Sequence, residues 1–292
     1  MEDDLKQHDI EEWVLATRGV FHINDVCKEL RIRNEDRPKV RTALSRLVDK
    51  GILERVGGKM GNYRLVLKEW EDIDIFGDFQ FYNLRWPFPI HKLARVGRGG
   101  LIVVAGEKGL GKTGLFLNVA NLNANEYDVW YFDSESGPDL LKERIFAMCP
   151  GIQPPLPFHL QRLEGYPEDL VKAHPDAVTI IDYIEEPDEA YRMAGILKRI
   201  SDNLGSGVAI VALQKPPGRD YAYGGVQTKN KPQLYLSLSK NDNGYKQLKI
   251  VNSKSRVNPL IDPENKTWTY KLVNMGTKFT DIDPPDWEDI PF

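Results

Sequence analysis

The octapeptide GEKGLGKT, residues 106–113, indicates the fold of this chain more strongly than any other segment, because it has the GxxxxGK[ST] spacing of a phosphate-binding loop. It lies between LIVVAG, an apolar run typical of a buried strand, and KTGLFLNVA, which is typical of a helix. Glycines let the backbone wrap around an anion so that amide N–H groups face it, and these are Gly106, Gly109 and Gly111. Lys112 would neutralise phosphate charge and Thr113 would reach Mg²⁺. The motif therefore predicts a site for ATP or another NTP with Mg²⁺.

The rest of the chain after Leu101 alternates short apolar runs with amphipathic helical segments. The runs are LIVVAG, DVWYFD, VTIID and VAIVAL, and the helices are KTGLFLNVANLNA, PDLLKERIFAM and a long one near residues 187–204. This alternation predicts an α/β fold with a mainly parallel sheet covered by helices. LYLSLS, QLKIVN and TWTYKLV predict further strands, joined by hairpins, that extend the sheet.

Carboxylates follow two of the predicted strands. Asp182 ends the apolar strand VTIID, where a P-loop fold needs an acid on the metal side, although a strand-end aspartate also caps turns. Glu135 comes just after DVWYFD, so it would sit beside the nucleotide and orient water as a general base. Asp133 competes with Glu135 for that role, and a carboxylate that only favours a helix N-terminus is the other interpretation.

The first seventy residues predict a separate domain. Residues 10–17 have helical spacing, a second helix follows Asn24 as its N-cap, and a third begins near Pro38. ILERV and NYRLVL then predict two strands joined at GGKMG. Three helices followed by a hairpin is the order of a winged helix-turn-helix domain.

Charge in this region favours nucleic acid as a partner. Residues 28–68 contain twelve Lys and Arg against five Asp and Glu, about +7, whereas the whole chain has a net charge of −4. The third helix would be the recognition helix, with Lys59 at the tip of the hairpin; its basic residues are Lys39, Arg41, Arg46 and Lys50. The alternatives are that this domain binds a protein, or that these residues only form a solvated surface.

Composition limits the class of protein. With 292 residues, 41% hydrophobic and 28% charged, the chain is typical of a soluble globular protein of about two domains. Cys27 and Cys149 are far apart and lack the spacing of a zinc site or a disulfide framework. No apolar run approaches the roughly 20 residues of a membrane span, and MEDDLKQHD does not resemble a signal peptide. We therefore expect a cytoplasmic protein without membrane contact.

These segments predict four parts: a winged helix-turn-helix domain at residues 1–70, a connector at 71–98, an ATPase domain at 99–278 and an acidic tail at 279–292. The connector is rich in aromatic residues, so it is too apolar for a free linker. It would pack along the next domain or against a neighbouring subunit.

The order of these motifs resembles the RecA-like ring ATPases, especially the ATPase domain of the DnaB-type replicative helicases. The resemblance rests on VVAGEKGLGKTGLFLNVA, YFDSESGPDLLKERI and IIDYIE, and it continues through VAIVALQKP and KIVNSKSRVNPL. It spans about residues 99–275. Two features depart from those helicases: a winged-helix module replaces their helical N-terminal domain, and IIDYIE has glutamate where they often have glutamine.

The resemblance implies roles for four residues. Glu135 matches the catalytic base, and Gln214 matches the glutamine that senses the γ-phosphate and couples it to DNA. Lys254 and Arg256 match a Lys-x-Arg pair that reaches into the site of the neighbouring subunit, which implies a homo-oligomer, expected to be a hexamer. Without the resemblance, SKSR is an ordinary basic strand end.

The segment KPPGRDYAYGGVQTKNK, residues 215–231, is long, glycine-rich, basic and aromatic. Tyr221 or Tyr223 would stack on bases of single-stranded DNA while basic side chains follow the phosphates. Those basic residues are Lys215, Arg219, Lys229 and Lys231. RecA-like proteins have a DNA-binding loop at this position, and a surface loop without a ligand is the alternative.

The last stretch, DIDPPDWEDIPF at residues 281–292, has five carboxylates and no basic side chain. An acidic segment with prolines is typical of a disordered end. Its final residues nevertheless resemble the C-terminal tip of bacterial single-stranded-DNA-binding proteins; they are Asp289, Ile290, Pro291 and Phe292. That resemblance implies docking on replication and repair enzymes through an apolar pocket for the phenylalanine. Alternatively, the tail folds over the basic segment and competes with DNA.

The expected function is therefore a DNA-stimulated ATPase of replication or recombination, a hexameric helicase-like motor acting on single-stranded DNA. A filament-forming recombinase would use the same core. An ATP-switched DNA-binding initiator or regulator would use the winged helix as its main function and hydrolyse ATP slowly.

Overall fold

The computed structural model describes residues 7–17, 19–57, 61–66, 75–77, 80–184, 190–241 and 244–283, without the side chains of residues 7 and 190–192. The chain divides into two compact units, residues 1–78 and 79–292. Within the described ranges, no helix is long and apolar enough to cross a membrane.

The first unit contains three helices and a three-stranded antiparallel sheet in the order β1-β3-β2. Its elements are α1 (Gln7–Ala16), β1 (Phe21–His22), α2 (Ile23–Glu29), α3 (Arg37–Asp49), β2 (Leu53–Arg55) and β3 (Asn62–Leu65). In α3 the buried side chains recur at three- and four-residue spacing, at Val40, Ala43, Leu44 and Leu47. They pack with Ile10 and Val14 of α1, so one apolar face of each helix forms the core.

The second helix begins one residue after His22, not after the predicted cap Asn24. The His22 side chain accepts a hydrogen bond from the backbone N–H of Asn24, and the Asp25 carboxylate accepts one from the backbone N–H of His22. The Asn24 side chain instead accepts a hydrogen bond from Arg37. Histidine was overlooked because it is an uncommon capping residue.

The second unit is built on one large mixed sheet. Its elements are β4 (Phe81–Tyr82), β5 (Val96–Gly97), β6 (Gly100–Gly106), α4 (Lys112–Asn123), β7 (Val129–Asp133), α5 (Pro138–Met148), β8 (His159–Arg162), α6 (Pro167–Ala173), β9 (Val178–Ile184), α7 (Ala190–Asn203), β10 (Val208–Gln214), β11 (Leu234–Lys240), β12 (Lys246–Ser253), β13 (Thr267–Val273) and β14 (Lys278–Asp283). The described strands of this sheet have the order β14-β13-β12-β11-β6-β10-β9-β7-β8. Strands β6 to β11 run parallel, and β12, β13 and β14 extend them in antiparallel hairpins. The predicted α/β class with a parallel-rich sheet is confirmed.

Two apolar cores cover the two faces of this sheet. Strands β6, β9 and β10 are buried almost throughout, as expected for central parallel strands with helices on both sides. One core includes side chains of α4 and α5, and the other includes side chains of α6 and α7. The result is a three-layer arrangement in which the carboxyl ends of the parallel strands share one edge.

Parts of the predicted connector and tail belong to the second unit. Leu84, Trp86, Phe88 and Ile90 of the connector are buried in the core that contains α4. β14 takes up residues 278–283, so the first residues of the predicted tail form a strand, because Phe279 packs on Phe88 and Tyr270. Residues 284–292 lie outside the described part of the chain.

Candidate nucleotide site

The GEKGLGKT segment connects β6 to α4 as a tight loop. Gly109 has φ of +78° and Gly111 has φ of +91°, a backbone region that favours glycine. Gly111 is the N-cap of α4, so the loop delivers the chain directly into the helix N-terminus. A Cβ at Gly106 would lie 3.1 Å from the Lys112 side chain and 3.2 Å from Leu238. These glycines are therefore required by geometry, and the loop presents backbone N–H groups where an anion is favoured.

Lys112 lies back over this loop. Its Nζ donates to the carbonyl oxygens of Gly106, at 2.9 Å, and of Glu107, at 3.3 Å. Burial lowers the pKa of Lys112, and the carboxylates of Asp182 and Glu135 oppose that shift. The ammonium group is thus held by two carbonyls that a phosphate could replace.

Asp182 lies on β9 and is 3% exposed. Its Oδ2 accepts a hydrogen bond from the Tyr131 hydroxyl at 2.7 Å, and a hydrogen bond also joins it to Thr113. Burial raises the pKa of Asp182, while these two hydrogen bonds oppose the rise. The structure therefore brings together Thr113 and Asp182, the two residues predicted to lie on the metal side.

Tyr131 is a site residue that the sequence analysis missed. It is fully buried on β7, and burial beside Asp182 raises its pKa well above the usual value, so the hydroxyl stays protonated and donates. The available signal was the alternation within DVWYFD, which places Tyr131 and Asp133 on the same side of the strand.

The two carboxylates after β7 have different environments. Asp133 is 2% exposed, and its carboxylate accepts hydrogen bonds from the backbone N–H groups of Ser136 and Gly137. It therefore stabilises the turn before α5, and these hydrogen bonds disfavour it as a base. Glu135 is exposed and lines a cavity together with Lys112. The geometry favours Glu135 over Asp133.

The cavity has a volume of about 390 Å³ and opens at the carboxyl edge of the sheet. Lys112, Thr113, Glu135, Asp182 and Gln214 all line it. Gln214 is paired in register with Gly106, and its Nε2 donates to the Tyr183 hydroxyl at 3.4 Å. This volume is within the usual range of small-molecule sites.

The turn between β13 and β14 forms another wall of the same cavity. Leu272, Met275 and Gly276 line it. A Cβ at Gly114 would lie only 1.8 Å from the carbonyl oxygen of Gly276, so the turn packs directly on α4. The antiparallel extension of the sheet therefore completes the site.

A second cavity, of about 470 Å³, lies between α5 and β8. Apolar side chains form most of its lining, among them Leu141, Ile145 and Leu156. It contains no residue of the P-loop, so its larger volume does not make it the candidate nucleotide site.

Lys254 and Arg256 lie at the other edge of the sheet. Leu238 pairs with Gly106 and Leu234 pairs with Ile102, while Leu234 also pairs with Ser253 of the antiparallel strand β12. Lys254 therefore follows the end of β12 near the start of β6, about 20 Å from the P-loop. Its Nζ donates to the carbonyl oxygens of Asn230 and Lys231, and Arg256 forms an ion pair with Asp262 at 3.3 Å. Neither side chain reaches the cavity of its own chain.

The predicted DNA-binding segment is more ordered than expected. It contains a short 3₁₀ helix, Gly225–Lys229, and the Tyr235 hydroxyl accepts the backbone N–H of Ala222. Lys215 is 3% exposed, so the prediction that it follows DNA phosphates is wrong. Its Nζ instead donates to the carbonyl oxygen of Arg219.

The aromatic and basic side chains of the segment differ in exposure. Tyr221 is half-buried, edge-to-face against Tyr235, which makes it a poor platform for a base. Tyr223 is 47% exposed, and Arg219 is exposed as well. Lys229 is half-buried near the Tyr221 ring, and Lys231 pairs with Asp202 at 3.1 Å.

In the first unit, Arg41 and Arg46 are exposed on the face of α3 opposite its buried side chains. Lys39 is also exposed and pairs with Asp36 at 2.8 Å, and Lys50 follows the end of α3. Lys59 lies outside the described residues, as do Asp289, Ile290, Pro291 and Phe292.

Comparisons with known proteins give similarity in structure only. No family model matches the chain, and no curated protein matches it. Among solved structures, a RadB recombinase is 19% identical with a TM-score of 0.46, covering 62% of this chain and 90% of that one. The ATPase domain of a DnaB-type protein is 12% identical (TM-score 0.48; 64% and 86% covered), and a KaiC-like protein from Pyrococcus horikoshii OT3 is 14% identical (TM-score 0.48; 65% and 91% covered). With every TM-score below 0.5, these similarities carry no argument about function.

Asp182→Asn should raise the free energy of unfolding at pH 8 in the absence of nucleotide and metal. The pKa of Asp182 is higher in the fold than its ordinary 3.8, so ionisation of this carboxyl destabilises the fold at pH values above that range. The gain should be full above the raised pKa and should shrink to nothing as the pH falls toward 3.8. Urea unfolding at several pH values measures it.

Asp202→Asn is the matched control. Hydrogen bonds from Lys198 and Lys231 outweigh burial and lower the pKa of Asp202, so its ionised form stabilises the fold. This substitution should therefore lose stability at pH 8, and the loss should vanish as the pH falls through the lowered pKa. Equal losses in both variants at pH 8 would contradict the assignment for Asp182.

Proposed function

We propose that this chain is an ATPase of the RecA-like P-loop class that acts on single-stranded DNA as a helicase-like motor. One observation carries the proposal: Lys112, Thr113, Glu135, Asp182 and Gln214, from four different segments, line a single cavity at the carboxyl edge of the sheet. Ligands of open α/β sheets bind at this edge.

The residues around the cavity fit ATP and Mg²⁺. The glycine-rich loop and the start of α4 provide N–H groups for phosphates, and Lys112 would exchange its two carbonyl partners for phosphate oxygens. Thr113 and Asp182 would hold Mg²⁺, which when bound neutralises charge on the transferring phosphoryl group. Tyr131 occupies one oxygen of Asp182 and so orients the carboxylate.

Two residues would act on the reacting groups. Glu135 is exposed in the cavity, so it is the side chain that would position and deprotonate a water molecule. Gln214 ends β10 beside Gly106 and would sense the γ-phosphate from there.

The position of Lys254 and Arg256 supports an oligomer. Because they lie at the sheet edge opposite the P-loop, they would complete the cavity of a neighbouring subunit, where positive charge stabilises the transition state. A closed ring, expected to be a hexamer, places every site at such an interface.

Contact with single-stranded DNA is assigned to the exposed part of segment 215–231. Arg219 and Tyr223 are its exposed basic and aromatic side chains, with Lys229 and Lys231 beside them. A cationic surface with an aromatic ring is the combination that single strands require.

The first unit and the tail supply further contacts in this proposal. The order of helices and strands in the first unit supports a winged helix, with Arg41 and Arg46 on α3 available for duplex DNA or a protein partner. The DIPF sequence at residues 289–292 is proposed to bind replication or repair enzymes that recognise the tails of single-stranded-DNA-binding proteins.

Steady-state ATP hydrolysis should rise strongly when single-stranded DNA is added, and the stimulation should fade between low and moderate salt as phosphate contacts weaken. Lys112→Ala should abolish turnover. Glu135→Gln should retain ATP binding and lose about 10²–10⁴-fold in kcat.

A different result would favour a different function. Slow turnover that is indifferent to single strands, together with tight binding of one duplex sequence that Arg46→Ala weakens, would support an ATP-switched initiator or regulator. DNA-stimulated turnover accompanied by strand exchange without unwinding would support a recombinase.

Mixing Arg256→Ala subunits with Glu135→Gln subunits should restore activity that neither variant has alone. In a random mixture, roughly a quarter of the interfaces combine an intact base with an intact finger. The control mixture is Lys112→Ala with Glu135→Gln, because both defects lie on the same side of the interface and should not complement. Restored activity in neither mixture would argue against a finger that acts between subunits.

Phe292→Ala in the full chain should abolish binding to an enzyme that recognises the tails of single-stranded-DNA-binding proteins, with ATP turnover unchanged. A peptide copied from such a tail should compete with the unmodified chain. Binding that survives the substitution would refute the role of the tail, and fluorescence anisotropy of the labelled chain measures it.

A further inference from the structure

Residues 214–223 form a closed loop at the edge of the nucleotide cavity. The backbone N–H of Tyr223 donates to the carbonyl oxygen of Gln214 at 3.1 Å, so the two ends of the loop meet. The Lys215 side chain lies inside, and its Nζ donates to the carbonyl oxygen of Arg219. A buried ammonium group therefore holds the loop together from within.

Charged groups from two other segments surround this ammonium group. The carboxylates of Glu107 and Asp220 attract it, while Lys249 repels it and pairs with Asp220 at 2.8 Å. Glu107 belongs to the P-loop, so Lys215 links the loop of residues 214–223 to the segment that would bind phosphate. A buried cation depends strongly on such partners because it has lost its hydration.

The P-loop end of this link is itself tied to the predicted phosphate ligand. Lys112 donates to the carbonyl oxygens of Gly106 and Glu107. Once Lys112 turns toward a phosphate, both carbonyls lose this donor and the backbone at Glu107 loses a restraint. Any movement of Glu107 changes the electrostatic environment of Lys215.

We infer that Lys215 is a positioning residue that connects Glu107 to the loop carrying Arg219 and Tyr223, so that occupancy of the phosphate site sets the affinity of this loop for single-stranded DNA. This inference rests on the proposed function. The route differs from the predicted sensor Gln214, whose side chain lines the cavity directly. It also explains why a lysine in a basic segment is buried.

The test is the affinity of the full chain for fluorescein-labelled oligo(dT), measured by anisotropy without nucleotide, with MgADP and with a non-hydrolysable ATP analogue and Mg²⁺. In the unmodified chain the affinities should differ by at least about fivefold between nucleotide states, the lower end of typical allosteric coupling. Lys215→Met should reduce that ratio to less than about twofold, and Lys215→Arg should retain part of it.

Two further variants separate the relay from a general defect. Glu107→Gln changes the other end of the link at a half-exposed position, so it should lower the ratio even if Lys215→Met fails to fold. Lys198→Met removes a comparably shielded lysine paired with Asp202 and should leave the ratio unchanged. Binding of a fluorescent ATP analogue should persist in all these variants.

The outcomes distinguish the two levels of the argument. An unmodified chain that binds no oligo(dT) in any nucleotide state would overturn the proposed function and the relay with it. Nucleotide-dependent DNA binding that Lys215→Met and Glu107→Gln leave intact would overturn only the relay. A combined variant whose effect equals that of either substitution alone would support a single shared path.

Discussion

Two opposite charges, Lys112 and Asp182, lie beside each other at the carboxyl edge of the sheet, and the rest of the site is arranged around them. Burial shifts the pKa of each toward its neutral form, downward for the lysine and upward for the aspartate, and each opposes the shift of the other. Neither charge would be tolerated there alone. The carbonyls of the P-loop and the Tyr131 hydroxyl supply the remaining partners.

The parallel strands explain why these groups meet. β6, β9, β7 and β10 all end at the same edge, and each contributes its polar residue at or just beyond the end of its buried run. The antiparallel strands β12 to β14 serve a different purpose. They bring the β13–β14 turn against α4 as a wall of the cavity and carry Lys254 and Arg256 to the far edge. One sheet therefore presents a nucleotide site at one edge and a pair of cations at the other, which suits a repeating assembly.

Local patterns predicted much of this molecule because they depend on neighbours in the sequence. The P-loop, the alternation of strands and helices, and the buried stripe of α3 all follow from spacing and residue type. Prediction was less successful where a side chain's role depended on distant residues. Asp133 and Glu135 are two residues apart, yet only the structure shows that the first is used by backbone N–H groups. His22 caps α2 in place of Asn24 for a similar reason, since Arg37 engages the asparagine.

The amino-acid sequence alone determined the class of fold, the phosphate-binding loop and the acids that accompany it, because glycine spacing and the period of apolar residues act locally. Only the tertiary structure decided which charges are buried and with whom they pair. Lys215 looks like a surface cation in the sequence but lies inside a closed loop, and Tyr131 looks like an ordinary core aromatic but orients Asp182. Burial and pairing arise when segments far apart in the chain pack together, and desolvation then sets what each polar group can do.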